Sequence, residues 1–305
     1  MLGHLDEVPA QAIDRGELRG TRWRVGAAIG ARRAGLSRYR LAHGERAMPV
    51  HVHGDEEEAF HVLAGTGLSW QDGRTYAVAA GDTILHAAGG APHTLLGGAE
   101  GLDVLAFSSG SDSRLTWLPR AGAMRAGPRW LPLDGPNPFD AEVAAGPLDV
   151  PAPSPERPAS IVALDDVEAL DRREGDVAHT RRNLGDALSA ERCGMRHLVV
   201  APGALTYPPH CHSAEEELFV VLHGEGALLL GDEEHPVRVG SVVCRPAGTG
   251  VAHALRAGDG PLTVLAFGTH EPNDIAFFPR SGKVYLRGVE AVFRVARVDY
   301  WEGER

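Results

Sequence analysis

The sequence predicts an all-β protein built as two tandem barrels of the jelly-roll, or double-stranded β-helix, type, joined by a proline-rich linker and carrying few short helices. Three observations lead there. The second half of the chain repeats the first. The 38 glycines and 21 prolines among 305 residues exceed what a helix-rich fold tolerates. Short alternating runs end on glycine turns, as at Ala80-Gly81-Asp82 and at Gly231-Asp232. A chain of this length suits two domains, and many short antiparallel strands are best closed into barrels or rolls that protect their edges.

The repeat keeps an offset of 159 residues from Leu5-Asp6-Glu7-Val8, matched by Leu164-Asp165-Asp166-Val167, through Gly26/Gly185, Gly44/Gly203 and Gly81/Gly240. After Gly89/Gly248 the offset becomes 160, so one extra residue sits in a loop of the second copy. Val104-Leu105-Ala106-Phe107 then recurs letter for letter at Val264-Leu265-Ala266-Phe267. The expected units are an N-terminal domain over 1–125, a linker over 126–160, a C-terminal domain over 161–285 and a tail over 286–305. The linker holds nine prolines and reads as extended chain. Its Trp130, Leu131, Leu133 and Phe139 predict that it packs along a domain surface, and the apolar tail with Phe293, Tyr300 and Trp301 is expected to close on a barrel.

The formal net charge of −11 argues against a nucleic-acid partner, because phosphate binding needs clustered Lys and Arg. No run of about 18 apolar residues occurs and the first residues lack a basic and apolar leader, so no membrane role is expected and the cytoplasm is the expected location. Cys193, Cys211 and Cys244 are too few and too scattered for a disulfide framework and read as packed, reduced thiols.

Histidines at i and i+2 of a strand project from one face, so His51 and His53 aim both imidazoles at one interior point, as do His210 and His212. Glu58 and Glu217 open the next strands, each seven positions before a turn glycine, and His93 and His253 arrive from a later hairpin. Three imidazoles and a carboxylate form an open site for a divalent transition metal such as Fe, Mn, Zn or Ni, up to two ions per chain. Glu57 and Glu216, one residue earlier, compete for the carboxylate role. Glu56 and Glu215 read as solvated loop charges, and His61 as a surface or interface histidine facing away from the metal. His86 and Arg245 occupy equivalent places beside the last-histidine loops, where they could reach a substrate.

These motifs resemble the cupin superfamily, whose first motif is HxH, three or four residues, E, six residues, G. It stands here as His51-x-His53-x4-Glu58-x6-Gly65 and as His210-x-His212-x4-Glu217-x6-Gly224. The second motif, G, five residues, PxG, two residues, H, is looser: Gly240, Pro246-Ala247-Gly248 and His253 in one copy, Gly81, Ala87, Gly89 and His93 in the other. The resemblance implies a bicupin acting on a small molecule, as a monomeric pseudo-dimer or a homo-oligomer. It implies a choice among dioxygenase, decarboxylase, isomerase and epimerase chemistry, with a dioxygenase-type oxidoreductase the first expectation. The alternatives are a metal-dependent isomerase or decarboxylase, and a non-catalytic ligand-binding or sensing protein.

Overall fold

The computed structural model describes residues 1–304. Alternating side chains produce strands throughout, and the three α-helices, Val25–Ala28, Pro138–Ala144 and Leu184–Ala187, are one or two turns long. In the N-terminal barrel the strand Glu58–Gln71 lies between Asp82–His86 and His93–Ser108, and the sheet continues through Gly35–Leu41, Leu18–Trp23 and Ala10–Arg15. The C-terminal barrel repeats the order, with Glu217–His223 between Ser241–Arg245 and Leu262–Thr269, then Cys193–Val200, Val177–Asn183 and Ala169–Glu174. Period-two alternation sorts each strand. Tyr39, Phe60, Val62 and Ala106 face the first barrel's interior, whereas Leu36, Ala59, Leu105 and Phe107 face outward.

That outward face is covered by the other barrel. A single core joins Leu36, Ala59, Leu105 and Phe107 to Met195, Leu218, Leu265 and Phe267, the matching residues of the second copy among them. Phe107 and Phe267 stack at 5.0 Å between centroids and 21° between planes, a contact worth about 1 kcal/mol beyond its buried area. The two copies also exchange strands. Leu2–His4 pairs with Ser241–Arg245 of the C-terminal sheet, and Ile161–Ala163 pairs with Asp82–His86 of the N-terminal sheet.

Two buried carboxylates complete the clasp. Glu216 accepts hydrogen bonds from the backbone N–H groups of Arg32, Arg33 and Ala34 at 3.0–3.1 Å. Glu57 reciprocally accepts from Glu191 N and Arg192 N at 2.9 Å and from the Cys193 thiol at 3.3 Å. The two candidates that competed with Glu58 and Glu217 thus point out of their own barrels and into the other copy.

The linker runs over the N-terminal barrel. Its helix buries Glu142 against Arg46 and Arg120, the Trp70 indole donates to Asp149 O, and Arg157 pairs with Asp82. The tail differs from the expectation of closure. Ala291–Arg294 adds a strand beside Lys283–Leu286, but Tyr300 and Trp301 are 85% and 61% exposed and pack edge to face on each other. Cys193, Cys211 and Cys244 are free and buried. Among the described residues no helix is long and apolar enough to cross a membrane.

His61 lies in the barrel interface. It alternates with Phe60 and Val62, contacts Thr83 Oγ1 through Nδ1 at 2.9 Å, and feels His197 of the other barrel. Burial, then His197, holds its pKa down to about 4. The unfolded chain protonates this histidine near 6.5 and the folded chain near 4, so the stability linked to its neutral form is complete above about pH 6.5 and falls as the pH drops toward 4. His61→Val, which installs the residue found at Val220 in the other copy, should flatten the loss of stability between pH 6.5 and 4 in chemical unfolding. An unchanged slope would show that His61 does not sense the interface.

Candidate metal centres

The strand carrying each HxH pair is tied to the strand carrying the third histidine by a reciprocal backbone pair. His51 N donates to His93 O at 3.1 Å and His93 N to His51 O at 3.0 Å; His210 and His253 repeat this at 3.2 and 2.8 Å. Directly paired residues of antiparallel strands point the same way, so both imidazoles enter the barrel, and His53 and His212 follow two residues on. In the N-terminal barrel, Glu58 Oε2 lies 3.1 Å from His51 Nε2, 3.7 Å from His53 Nε2 and 3.1 Å from His93 Nε2. In the C-terminal barrel, Glu217 Oε2 lies 4.0, 3.4 and 2.8 Å from the Nε2 atoms of His210, His212 and His253. All eight side chains named from the motifs thus converge, four in each barrel.

The outer ring nitrogens decide what these clusters can hold. His51 Nδ1 faces Pro49 O, His93 Nδ1 faces Ala91 O and His210 Nδ1 faces Pro208 O, at 2.9–3.0 Å. A carbonyl only accepts, so each Nδ1 carries the proton and each Nε2 presents its lone pair to the centre. His212 Nδ1 meets Asp274 Oδ2 at 2.6 Å, and His53 Nδ1 meets Thr116 Oγ1 at 3.3 Å. His212 Nε2, His253 Nε2 and Glu217 Oε2 are buried without a hydrogen-bond partner. Inward lone pairs and orphaned atoms around one carboxylate fit a divalent cation of the Fe, Mn, Zn or Ni kind.

The electrostatics agree. Burial opposes ionisation of Glu58, but the imidazoles of His51, His53 and His93 gathered at its Oε2 hold its carboxyl well below the usual range. Glu217 is lowered too, against its burial, by the neighbouring imidazoles of His212 and His253. Burial, with repulsion from His51, lowers His93 to about 4, and burial lowers His210 to about 4. Both rings are neutral at pH 7, the form a metal needs.

The other candidates take different places. Glu56 and Glu215, expected in solvent, are buried because each finds partners from distant segments: Ser111 Oγ donates to Glu56, while Glu271 N and Arg287 donate to Glu215. Glu215, Asp274 and His212 form a second acidic group behind the C-terminal cluster. His86 stacks on His93, centroids 3.6 Å apart and planes 3° apart, and burial pushes its pKa well below the ordinary value. Arg245 donates to Thr249 Oγ1 and Val251 O and so pins the loop before His253.

The two centres differ in access. The N-terminal cluster opens through His53 and Glu58 into a cavity of about 410 Å³, which Ser37, Tyr39 and several arginines also line. The crevice at His212, Glu217 and His253 has no space for a water molecule. Phe278 stacks on His210 at 5.5 Å and Tyr207 packs edge-on to the same ring at 6.3 Å. Tyr39, Ser37, Arg22 and Asp274 were missed in reading the sequence. For Tyr39, Ser37 and Asp274 the signal lies in the positions where the two copies disagree, such as Tyr39 against Leu198 and Arg114 against Asp274, whereas Arg22 recurs as Arg181 and carries no such mark.

Paired antiparallel barrels, each enclosing three imidazoles around a buried carboxylate, define a class of two-domain β-barrel protein with metal-binding-capable sites. The Cupin domain model matches residues 37–104 and again residues 196–268, so the chain carries two cupin domains, one in each barrel, which is the arrangement of a bicupin. Among solved structures, a Lactobacillus farciminis oxalate decarboxylase in complex with formate is similar over 88% of this chain and 86% of its own, at TM-score 0.60 and 18% identity. Bacillus subtilis oxalate decarboxylase at pH 4.6 is similar over 88% and 75%, at TM-score 0.57 and 17% identity. At these identities the likeness is one of fold. None of the curated proteins matches the sequence.

Asp274 fixes His212 from behind, and such partners typically govern 10- to 100-fold in metal affinity. Asp274→Ala, placed in a His51→Ala, His53→Ala background so that one centre is read, should weaken zinc binding by about that factor in chelator competition. Unaltered affinity would mean that the His212 ring is held by its packing alone.

Proposed function

We propose that this bicupin is a metal-dependent enzyme that works in its N-terminal barrel on a small carboxylic acid, with decarboxylation as its reaction class, and that the C-terminal centre holds its ion for structure. One observation carries the proposal: of two equally complete clusters, only the N-terminal one meets a cavity. The similarity to oxalate decarboxylases supports the reaction class, and favours the decarboxylase alternative over the dioxygenase expectation.

His51, His53, Glu58 and His93 would hold the ion, which when bound supplies Lewis-acid polarisation of a substrate oxygen. The protein's own groups bind and orient the acid. Arg22 is braced by two hydrogen bonds from Nε and Nη2 to Ser37 Oγ at 3.3 and 3.0 Å, and its guanidinium lies 5.4 Å from the Tyr39 ring. A braced guanidinium pairs with a carboxylate at less cost in side-chain freedom. Burial raises the pKa of Tyr39, so its proton stays at Oη, at the wall where an electron pair released by loss of carbon dioxide needs one. Phe60, Val62 and Ala106 line the interior beneath and exclude water, which strengthens each of these interactions.

The test is carbon dioxide release from a panel of mono-, di- and tricarboxylates by protein loaded with Mn, Fe, Zn or Ni. His51→Ala should lower turnover on the order of 10³-fold, several kcal/mol of lost charge stabilisation, and His210→Ala should leave it largely intact. Oxygen uptake matched to product would move the reading to a dioxygenase, and ligand-induced stabilisation without product would make the protein a binding module.

A further inference from the structure

The two copies agree at all eight cluster positions and disagree at the rim. Arg24, Arg32, Arg114 and Arg125 of the first copy correspond to Asn183, Glu191, Asp274 and Tyr285 of the second. The register supports the match, since Thr116 pairs with His53 and Arg125 as Ala276 pairs with His212 and Tyr285. Four guanidinium groups therefore face an amide, two carboxylates and a phenol at the equivalent places.

All four line the cavity that opens on His53 and Glu58, together with Arg22 and Arg33. Of the six, Arg33 is ion-paired, with Glu271 at 2.6 Å. Arg22 and Arg125 donate to Ser37 Oγ and Gly127 O, and among the described residues the guanidinium groups of Arg22, Arg24, Arg32, Arg114 and Arg125 form no ion pair with a carboxylate, the Arg32 contact to Glu216 being made by its backbone N–H. Elsewhere in this chain arginines find acids: Arg38 and Arg40 pair with Asp103, Arg157 with Asp82 and Arg256 with Glu234. In a chain of net charge −11, unpaired cations gathered on one cavity repel each other, and an anion in the cavity relieves that repulsion.

The cavity is also too large for a two-carbon diacid. At about 30 Å³ per water-sized group, a volume of about 410 Å³ holds roughly a dozen such groups. A two-carbon acid bound at the cluster would leave the rim arginines unengaged.

We propose that the N-terminal cavity takes an organic anion larger than a two-carbon diacid and carrying at least two separated oxyanion groups, one directed to the His53–Glu58 end and another held by Arg24, Arg32, Arg114 and Arg125. The assignment deepens the proposed function, since it places the anion in the barrel assigned the chemistry. The distal group is a carboxylate or a phosphate, and guanidinium groups bind either bidentately.

Isothermal titration of the metal-loaded protein with tricarballylate, 3-phosphoglycerate, oxalate and acetate tests this. Tricarballylate or 3-phosphoglycerate should bind at least tenfold more tightly than oxalate or acetate, and whichever is preferred names the distal group. Exchanging Arg114→Asp and Arg125→Tyr, to the residues of the other copy, should weaken that anion tenfold or more with metal content and unfolding midpoint unchanged. The single Arg24→Asn serves as a second, milder probe should the pair fail to fold. Equal affinity for oxalate, or binding indifferent to these exchanges, overturns the proposal. Tight binding of the larger anions without carbon dioxide release would leave the anion site standing and remove the decarboxylase reading; turnover of oxalate with no binding of the larger anions would do the reverse.

Discussion

A carboxylate buried among three imidazoles is the constraint on which each barrel is built. An ionised Glu inside a protein costs several kcal/mol unless its charge is met, and Glu58 and Glu217 are both held ionised. The inward lone pairs of neutral imidazoles do not meet that charge; a divalent cation between them and the carboxylate would, and the groups that would hold it come from strands far apart in sequence. His51 and His93 are fixed by a two-way backbone pair, their outer nitrogens are spent on the carbonyls of Pro49 and Ala91, and what remains points at the carboxylate. The same pair recurs at His210 and His253. A barrel that lost this pairing would separate the imidazoles from the carboxylate, so the centre and the fold stand together.

The second level of organisation is the contact between barrels. Their outward faces share one apolar core, each lends the other a strand, and Glu57 and Glu216 close the junction on backbone N–H groups. The clasp runs from the residue before each cluster carboxylate to the segment before a neighbouring strand, Arg32–Ala34 in one direction and Glu191–Cys193 in the other. Adjacent residues of one strand therefore do two jobs, Glu57 and Glu216 outward and Glu58 and Glu217 inward, as the alternation of a strand allows. The two copies hold like clusters with unlike access: the crevice at His212 and Glu217 is closed in by Arg245, Thr249 and Val251, while the space beside His53 stays open and lined by arginines.

Much of this was legible in the sequence. Glycine spacing, the repeated Val-Leu-Ala-Phe run and the doubled HxH motif carried the all-β two-barrel fold and the eight converging side chains. Glu58 could be preferred to Glu57 by counting to Gly65, but why Glu57 is an acid at all depends on the other barrel, which a single-copy reading does not contain. The burial of Glu56 and Glu215 was missed for a related reason: their partners, Ser111 and Arg287, lie more than fifty residues away in sequence. The strand exchange left no local mark, because Leu2–His4 has the same alternation whichever sheet receives it. The tail was overread. Apolar content predicted closure, yet Tyr300 and Trp301 extend beyond the last paired strand.

Two like centres differ in access, and water proton relaxation with bound Mn(II) reads this directly. One variant, His210→Ala with His212→Ala, keeps the N-terminal centre alone; another, His51→Ala with His53→Ala, keeps the C-terminal centre alone. The N-terminal ion should strongly relax bulk water, through exchange along the cavity at His53 and Glu58, and the C-terminal ion should hardly do so. Equal relaxation from the two variants, or a stronger effect from the C-terminal one, would contradict it.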